Sequence, residues 1–147
     1  MDKINANIIE ILQANARISI SELAKQVHLS APAVAERARR LEEHNIISGY
    51  HARVDITELG YPIEAMVQVK VFAGKEPLFI AFAKQRSEII ECYNVTGEAA
   101  FICKIAILSM KTLDAFLEEL SSIGESNTMM ILSEISRKTL PAVISDN

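Results

Sequence analysis

A chain of 147 residues, half of them hydrophobic, is long enough for one domain or two small ones and apolar enough to pack a core. Its apolar runs are short and broken by charges, so no segment reads as a membrane span. The opening MDKINANIIEILQANARIS lacks the basic, apolar and small-residue regions of a secretion signal, which points to the cytoplasm. The formal net charge of -4 is unevenly spread: residues 1–54 hold seven Lys and Arg against six Asp and Glu, and the remainder eight against thirteen. The first part is therefore the one suited to meeting a polyanion.

Ile4, Ile8, Ile11 and Leu12 recur at helical spacing and predict a first helix ending near Asn15. SISE then opens a second helix, with Ser19 and Glu22 spaced as a capping box and Leu23, Ala24 and Val27 turned inward as far as His28. Ser30 is a further N-cap, and Pro32 is tolerated in the first turn of a third helix over about Ala31 to Glu43. Asn45 suits a left-handed helix end, and NIISGYHARVD reads as a short hairpin turning at Ser48 and Gly49. DITELGYP, residues 55–62, reads as a connector.

The period then changes from helical to two. Ile63, Ala65, Val67, Val69 and Val71 form the apolar face of a strand. EPLFIAFAKQR predicts a helix, and IIECYNVTG and FICKIAIL predict two strands joined around GEAA. Ser109 caps a helix striped by Met110, Leu113, Phe116, Leu117, Leu120 and Ile123, which Gly124 is expected to end, before a last strand over about Thr128 to Ser136. The whole is an α+β chain: helices and a hairpin, then a ferredoxin-like βαββαβ unit. The sheet face away from the helices would show Met66, Phe72, Ile102 and Ala106 among Gln68, Lys70 and Lys104, an apolar content that predicts packing against another subunit.

Two helices joined by a tight turn, with small Ala24 in the first and a capped second, match the helix-turn-helix pattern, and the hairpin after them would be its wing. On a helical wheel Val34, Ala38 and Leu41 face the core, whereas Pro32, Ala33, Glu36, Arg39 and Arg40 centre on the opposite side. Arg37 falls between and is expected to lay its stem on the core and pair with a carboxylate. The expected DNA-facing set is Ser30, Ala31, Pro32, Ala33, Glu36, Arg39 and Arg40, flanked by Lys25, His51 and Arg53. The competing account of ERARRLEE is a solvated helix with i, i+4 pairs Glu36 to Arg40 and Arg39 to Glu43; the turn, the caps, the hairpin and the charge asymmetry favour the DNA reading.

Other chemistry finds little support. Cys92, Cys103 and the three histidines have no zinc-ligand spacing, so no metal is expected and the cysteines read as reduced, buried strand residues. No Gly-rich phosphate loop follows a strand, no Gly-x-Ser-x-Gly elbow occurs, and no carboxylate pair is brought together by the pattern, so no catalytic residues are assigned and an enzyme is not expected.

IIEILQANARISISELAKQVHLSAPAVAERARRLEEHNIISGYHARVD, residues 8–55, resembles throughout the N-terminal signature of the Lrp/AsnC (leucine-responsive, feast/famine) transcriptional regulators. Thr96-Gly97 falls where that family's ligand-responsive domain has a glycine-containing loop. The resemblance implies a winged helix-turn-helix DNA-binding domain over 1–54, a linker over 55–62, and an effector-binding and oligomerisation domain over 63–147. It also implies binding to double-stranded DNA, dimers assembling to octamers, nucleoid association, and a free amino acid as effector near Tyr93, Thr96, Gly97, Glu98 and Ala100. Four features depart from the family pattern. Asn5 stands where an Asp is common, His28 where the turn usually has Gly, His44-Asn45 replaces the usual Gly after the third helix, and Gly97-Glu98-Ala99-Ala100 replaces Gly-x-x-Asp. The missing carboxylate at Ala100 motivates an alternative, an architectural protein that wraps DNA with weak effector dependence. A further one is a metabolite-binding oligomer whose helical part serves protein contacts.

Overall fold

A computed structural model describes residues 1–136, which fall into two compact units, 1–53 and 54–135. The first contains α1 (Lys3–Ala14), α2 (Ile20–Gln26) and α3 (Ala31–Glu43). Each starts on a side-chain cap: Asp2 Oδ1 accepts from Asn5 N at 2.7 Å, Ser19 Oγ from Glu22 N at 3.2 Å, and Ser30 Oγ from Ala33 N at 3.4 Å. Each cap satisfies a backbone donor that the first turn leaves unpaired. Only half of the predicted capping box forms at α2, because the Glu22 carboxylate turns to Lys25 at 3.4 Å.

Helices α2 and α3 end alike. Leu29 N donates to Ala24 O and His28 N to Lys25 O; Ile46 N donates to Leu41 O and Asn45 N to Glu42 O. Both are Schellman closures, which place one residue in the left-handed region, here His28 at φ 56° and Asn45 at φ 55°. The helices pack through Ile8, Leu23, Ala24, Val34 and Leu41, with Leu29 and Ile47 folded onto the same cluster by those two turns.

The hairpin expected over residues 45–55 is not seen: among the described residues no strand pairing occurs between α3 and residue 63. The reason lies in the Schellman closure. The amides of both Ile46 and Ile47 are bonded to Leu41 O, so the first arm has spent its donors on the helix end instead of a ladder. Among the described residues the first unit is therefore a helix-turn-helix followed by a segment without strand pairing.

The second unit is a four-stranded antiparallel sheet in the order β2-β3-β1-β4, made from β1 (Ile63–Val71), β2 (Ile89–Asn94), β3 (Phe101–Ile107) and β4 (Gly124–Met130), with α4 (Glu76–Gln85) and α5 (Met110–Ser121) in the two crossovers. The alternation of β1 puts Ala65, Val67 and Val69 at zero exposure, against Phe79 of α4 and Leu113, Phe116 and Leu120 of α5. Phe79 stacks on Phe101 at 4.4 Å between ring centroids, and Phe82 on Phe116 at 5.5 Å. On the other face Glu64 pairs with Lys104, and Met66, Gln68 and Ile102 are half-buried, although Ala106 is buried.

Two expectations for this unit need correcting. Gly124 does not cap α5; it opens β4, which starts four residues before the predicted strand and ends at Met130. A Cβ at Gly124 would lie 2.6 Å from Lys70 O, so the glycine is needed for the close approach of β4 to β1, where it pairs with Val71. Cys103 is buried as expected, whereas Cys92 is exposed, because β2 is an edge strand.

Candidate nucleic-acid interface

The outer face of α3 carries the residues that the wheel grouped. Val34, Ala38 and Leu41 are buried, and Pro32, Ala35, Arg39 and Arg40 are exposed. The Arg39 and Arg40 side chains are 54% and 67% exposed, so both guanidiniums are open to a ligand. Ser30 stands at the helix start, where unpaired amides and the helix dipole favour an anion, and Ala31, Pro32 and Ala33 form a low-profile first turn.

In the free chain both arginines are held by carboxylates of the same helix. Glu36 receives Arg39 through two bonds, Nε at 2.9 Å and Nη2 at 2.8 Å, and Arg40 Nε at 2.8 Å; Arg39 also reaches Glu43. These bonds, that of Arg39 first and then that of Arg40, hold the Glu36 carboxyl down at about 2, and Glu36 in turn raises the pKa of Arg39. Glu36 is thus ionised at neutral pH. The pairs expected of a merely solvated helix are present, and the face is nearly neutral until a stronger anion displaces them.

Arg37 takes a different partner, in keeping with its edge position. Its Nη1 donates to Asp2 Oδ2 at 2.7 Å and to Asn5 Oδ1 at 2.8 Å, which clasps α3 to the start of α1. Asn5 supplies an amide oxygen where the family commonly has an Asp, and Asp2 brings the charge. The backbone amide of Asn5 first, then Arg37, lower the Asp2 pKa. Asp2, Asn5, Ala33, Glu36, Arg37 and Arg40 line an open groove of 380 Å³ along this side of α3.

The flanking residues are dispersed. Lys25 is in the last turn of α2 and pairs with Glu22. His51 and Arg53 line a different groove, of 560 Å³, with Ile9, Leu12 and Tyr50. Tyr50 belongs to the stretch that resembles the family signature but carries no expected partner there; its hydroxyl donates to Glu42 Oε1 at 2.9 Å and ties the segment after α3 back to the helix, and burial first, then that bond, push its pKa to about 12. The Tyr50–Glu42 spacing of eight residues across a helix end gives no periodic signal that could have flagged it.

In the second unit, residues 95–100 join β2 to β3. Val95 N donates to Ala100 O at 2.9 Å and Ala100 N to Val69 O at 3.0 Å, and Thr96, Gly97 and Glu98 are exposed at the tip. Tyr93, before the loop, is exposed and donates to Glu91 Oε2 at 2.6 Å, which raises its pKa. Among the described residues, no group of three or more metal-ligating side chains occurs and no helix is long and apolar enough to cross a membrane.

Comparison with known proteins agrees with both units. Residues 1–42 match the AsnC-type helix-turn-helix domain and residues 64–141 the Lrp/AsnC ligand binding domain. The HTH-type transcriptional regulator LrpC of Bacillus subtilis is 34% identical over 138 residues, 94% of this chain and 96% of that protein, and its structure superposes with a TM-score of 0.89, covering 94% of this chain and 99% of that one. The leucine-responsive regulatory protein of Haemophilus influenzae is 30% identical over 93% of this chain and 87% of its own. The transcriptional regulator NMB0573 of Neisseria meningitidis, solved as a complex with L-Met, is 26% identical with a TM-score of 0.89 over 96% of each chain. With family models matching over most of its length and a 34% identical relative covered nearly end to end, the chain belongs to the Lrp/AsnC family of helix-turn-helix, DNA-binding transcription regulators.

Proposed function

We propose that this regulator reads its operator with α3 laid in the major groove, Arg39 and Arg40 leaving Glu36 for phosphates or guanine edges. The observation that carries the reading is the exposed Arg39–Arg40 pair on the same face as a low-profile, Ser30-capped first turn. Ser30, Ala31, Pro32, Ala33 and Glu36 complete the contact face, with Lys25, His51 and Arg53 on flanking phosphates. Residues 1–54 act as the DNA-binding domain, 55–62 as a linker, and 63–147 as the effector and oligomerisation domain. A dimer, assembling further to an octamer through apolar sheet surface such as Met66 and Ile102, sets two recognition helices about 34 Å apart, one turn of B-DNA. An amino acid is the effector, held near Tyr93, Thr96, Gly97, Glu98 and Ala100; the L-Met complex of the Neisseria relative supports that class of ligand. The chain works in the cytoplasm on the nucleoid and catalyses no reaction.

The test is selection of binding sites from random DNA, with and without a panel of amino acids, followed by titration of Arg39→Ala, Arg40→Ala and the double variant on the selected site. An imperfect palindrome is expected, with affinity falling steeply with salt and each substitution reducing the salt slope by about one. Full affinity in the double variant would overturn the α3 assignment. A second reading, DNA wrapping with weak effector dependence, is favoured by Ala100, which leaves that loop position without a carboxylate. Footprints repeating every helical turn over a long stretch, unaffected by amino acids, would establish it in place of the first.

A further inference from the structure

Cys92 and Cys103 lie directly opposite each other on β2 and β3, with their sulfurs 3.1 Å apart. Two backbone bonds define the kind of pair they make. Ala106 N donates to Glu88 O and Val95 N to Ala100 O, so the even-numbered residues of β3 turn their hydrogen-bonding groups toward β2. Cys103 turns its own toward β1, and Cys92–Cys103 is a non-hydrogen-bonded pair, the site in an antiparallel ladder where opposed side chains are closest. The sulfurs need approach by only about 1 Å to reach bonding distance.

The two thiols differ in access. Cys103 is 1% exposed within the core of the sheet, and burial, then the Cys92 contact, push its pKa up. It is shielded from reagents and stays a thiol. Cys92 is exposed on the edge strand, open to a small oxidant. This division matches an entry thiol backed by a resolving one.

We propose that Cys92 and Cys103 are a modification site, a dithiol that peroxide converts to an intrachain disulfide. Peroxide oxidises the Cys92 sulfur to a sulfenic acid, its O–O bond breaking with release of water. Cys103 then attacks that sulfur, the S–O bond breaks, and the departing hydroxide takes the Cys103 proton to leave as a second water. A dithiol reductant reverses the reaction by exchange. The ring so closed spans residues 92–103 and contains the whole β2–β3 loop.

The experiment treats the reduced full-length protein with hydrogen peroxide, then unfolds it in an alkylating agent and weighs it. The expected product is a monomeric chain lighter by two hydrogens that takes up no alkyl group, and that takes up two after dithiothreitol. Cys103→Val keeps the core apolar and should leave Cys92 as a sulfenic acid captured by a 1,3-dicarbonyl reagent. In Cys92→Ser, Cys103 should survive peroxide and alkylate only on unfolding. The proposal is overturned if peroxide-treated wild type still yields an alkylatable Cys103 beside an over-oxidised Cys92, or if the disulfides formed join separate chains.

Discussion

His28→Gly tests whether the turn between α2 and α3 is under backbone strain. His28 occupies the left-handed position of the Schellman closure at φ 56°, and its side chain is exposed, so truncation removes little packing. A non-glycine L-residue in that region costs about 1–2 kcal/mol. Glycine relieves this but gives up about 0.5–1 kcal/mol of extra unfolded-state entropy. The net expectation is a stabilisation of about 0.5–1 kcal/mol, or roughly two- to fivefold slower opening of the amides in α2 and α3. Hydrogen exchange on peptides covering residues 20–43 measures it locally, without assuming that the two units unfold together. DNA affinity should be unchanged, because the α3 face is untouched. Asn45→Gly is the internal control: asparagine tolerates the same conformation at lower cost, so its gain should be smaller. Unchanged or faster exchange in His28→Gly, with the bonds to Ala24 O and Lys25 O intact, would refute the strain argument.

Gly124→Ala should lower stability by about 1–3 kcal/mol in a thermal melt, since its methyl would meet Lys70 O at 2.6 Å, against backbone that cannot move aside alone. Glu36→Gln should raise DNA affinity at low salt, because association no longer has to draw Arg39 and Arg40 from a carboxylate; equal affinity would place those arginines away from phosphate. The folded-state pKa of Asp2 is lowered, so its contribution is present above the unfolded value near 3.8 and is lost as pH falls through the folded one. With half of the side chain exposed, about a few tenths of a kcal/mol is at stake; acid unfolding of Asp2→Asn should lack this increment. Phe79→Ala should cost about 3–5 kcal/mol, read by urea unfolding, because it opens the core beneath Phe101.

The helices and the sheet were legible because each pattern matched a single burial geometry: Val34, Ala38 and Leu41 recur at the helical period, and Ala65, Val67 and Val69 at the strand period. The edge position of Arg37 on the wheel likewise anticipated a structural partner. That partner could not be found from spacing, since Asp2 and Asn5 are over thirty residues away and meet Arg37 only when α1 crosses α3. The hairpin is missing among the described residues because turn residues such as Ser48 and Gly49 say nothing about donors already committed to a helix end. The start of β4 was misplaced for a related reason: Gly124 carries the composition of a helix cap, and only the register against Lys70 reveals a close contact.

Among the described residues, the hydrophobic clusters of the two units have no member in common. A substitution that loosens the Phe79–Phe101 stack needs no answering change around Leu23 and Val34, and the reverse holds as well. Lineages that descend from such a chain can change the helical unit and the sheet unit at separate tempos, one drifting while the other is held by selection.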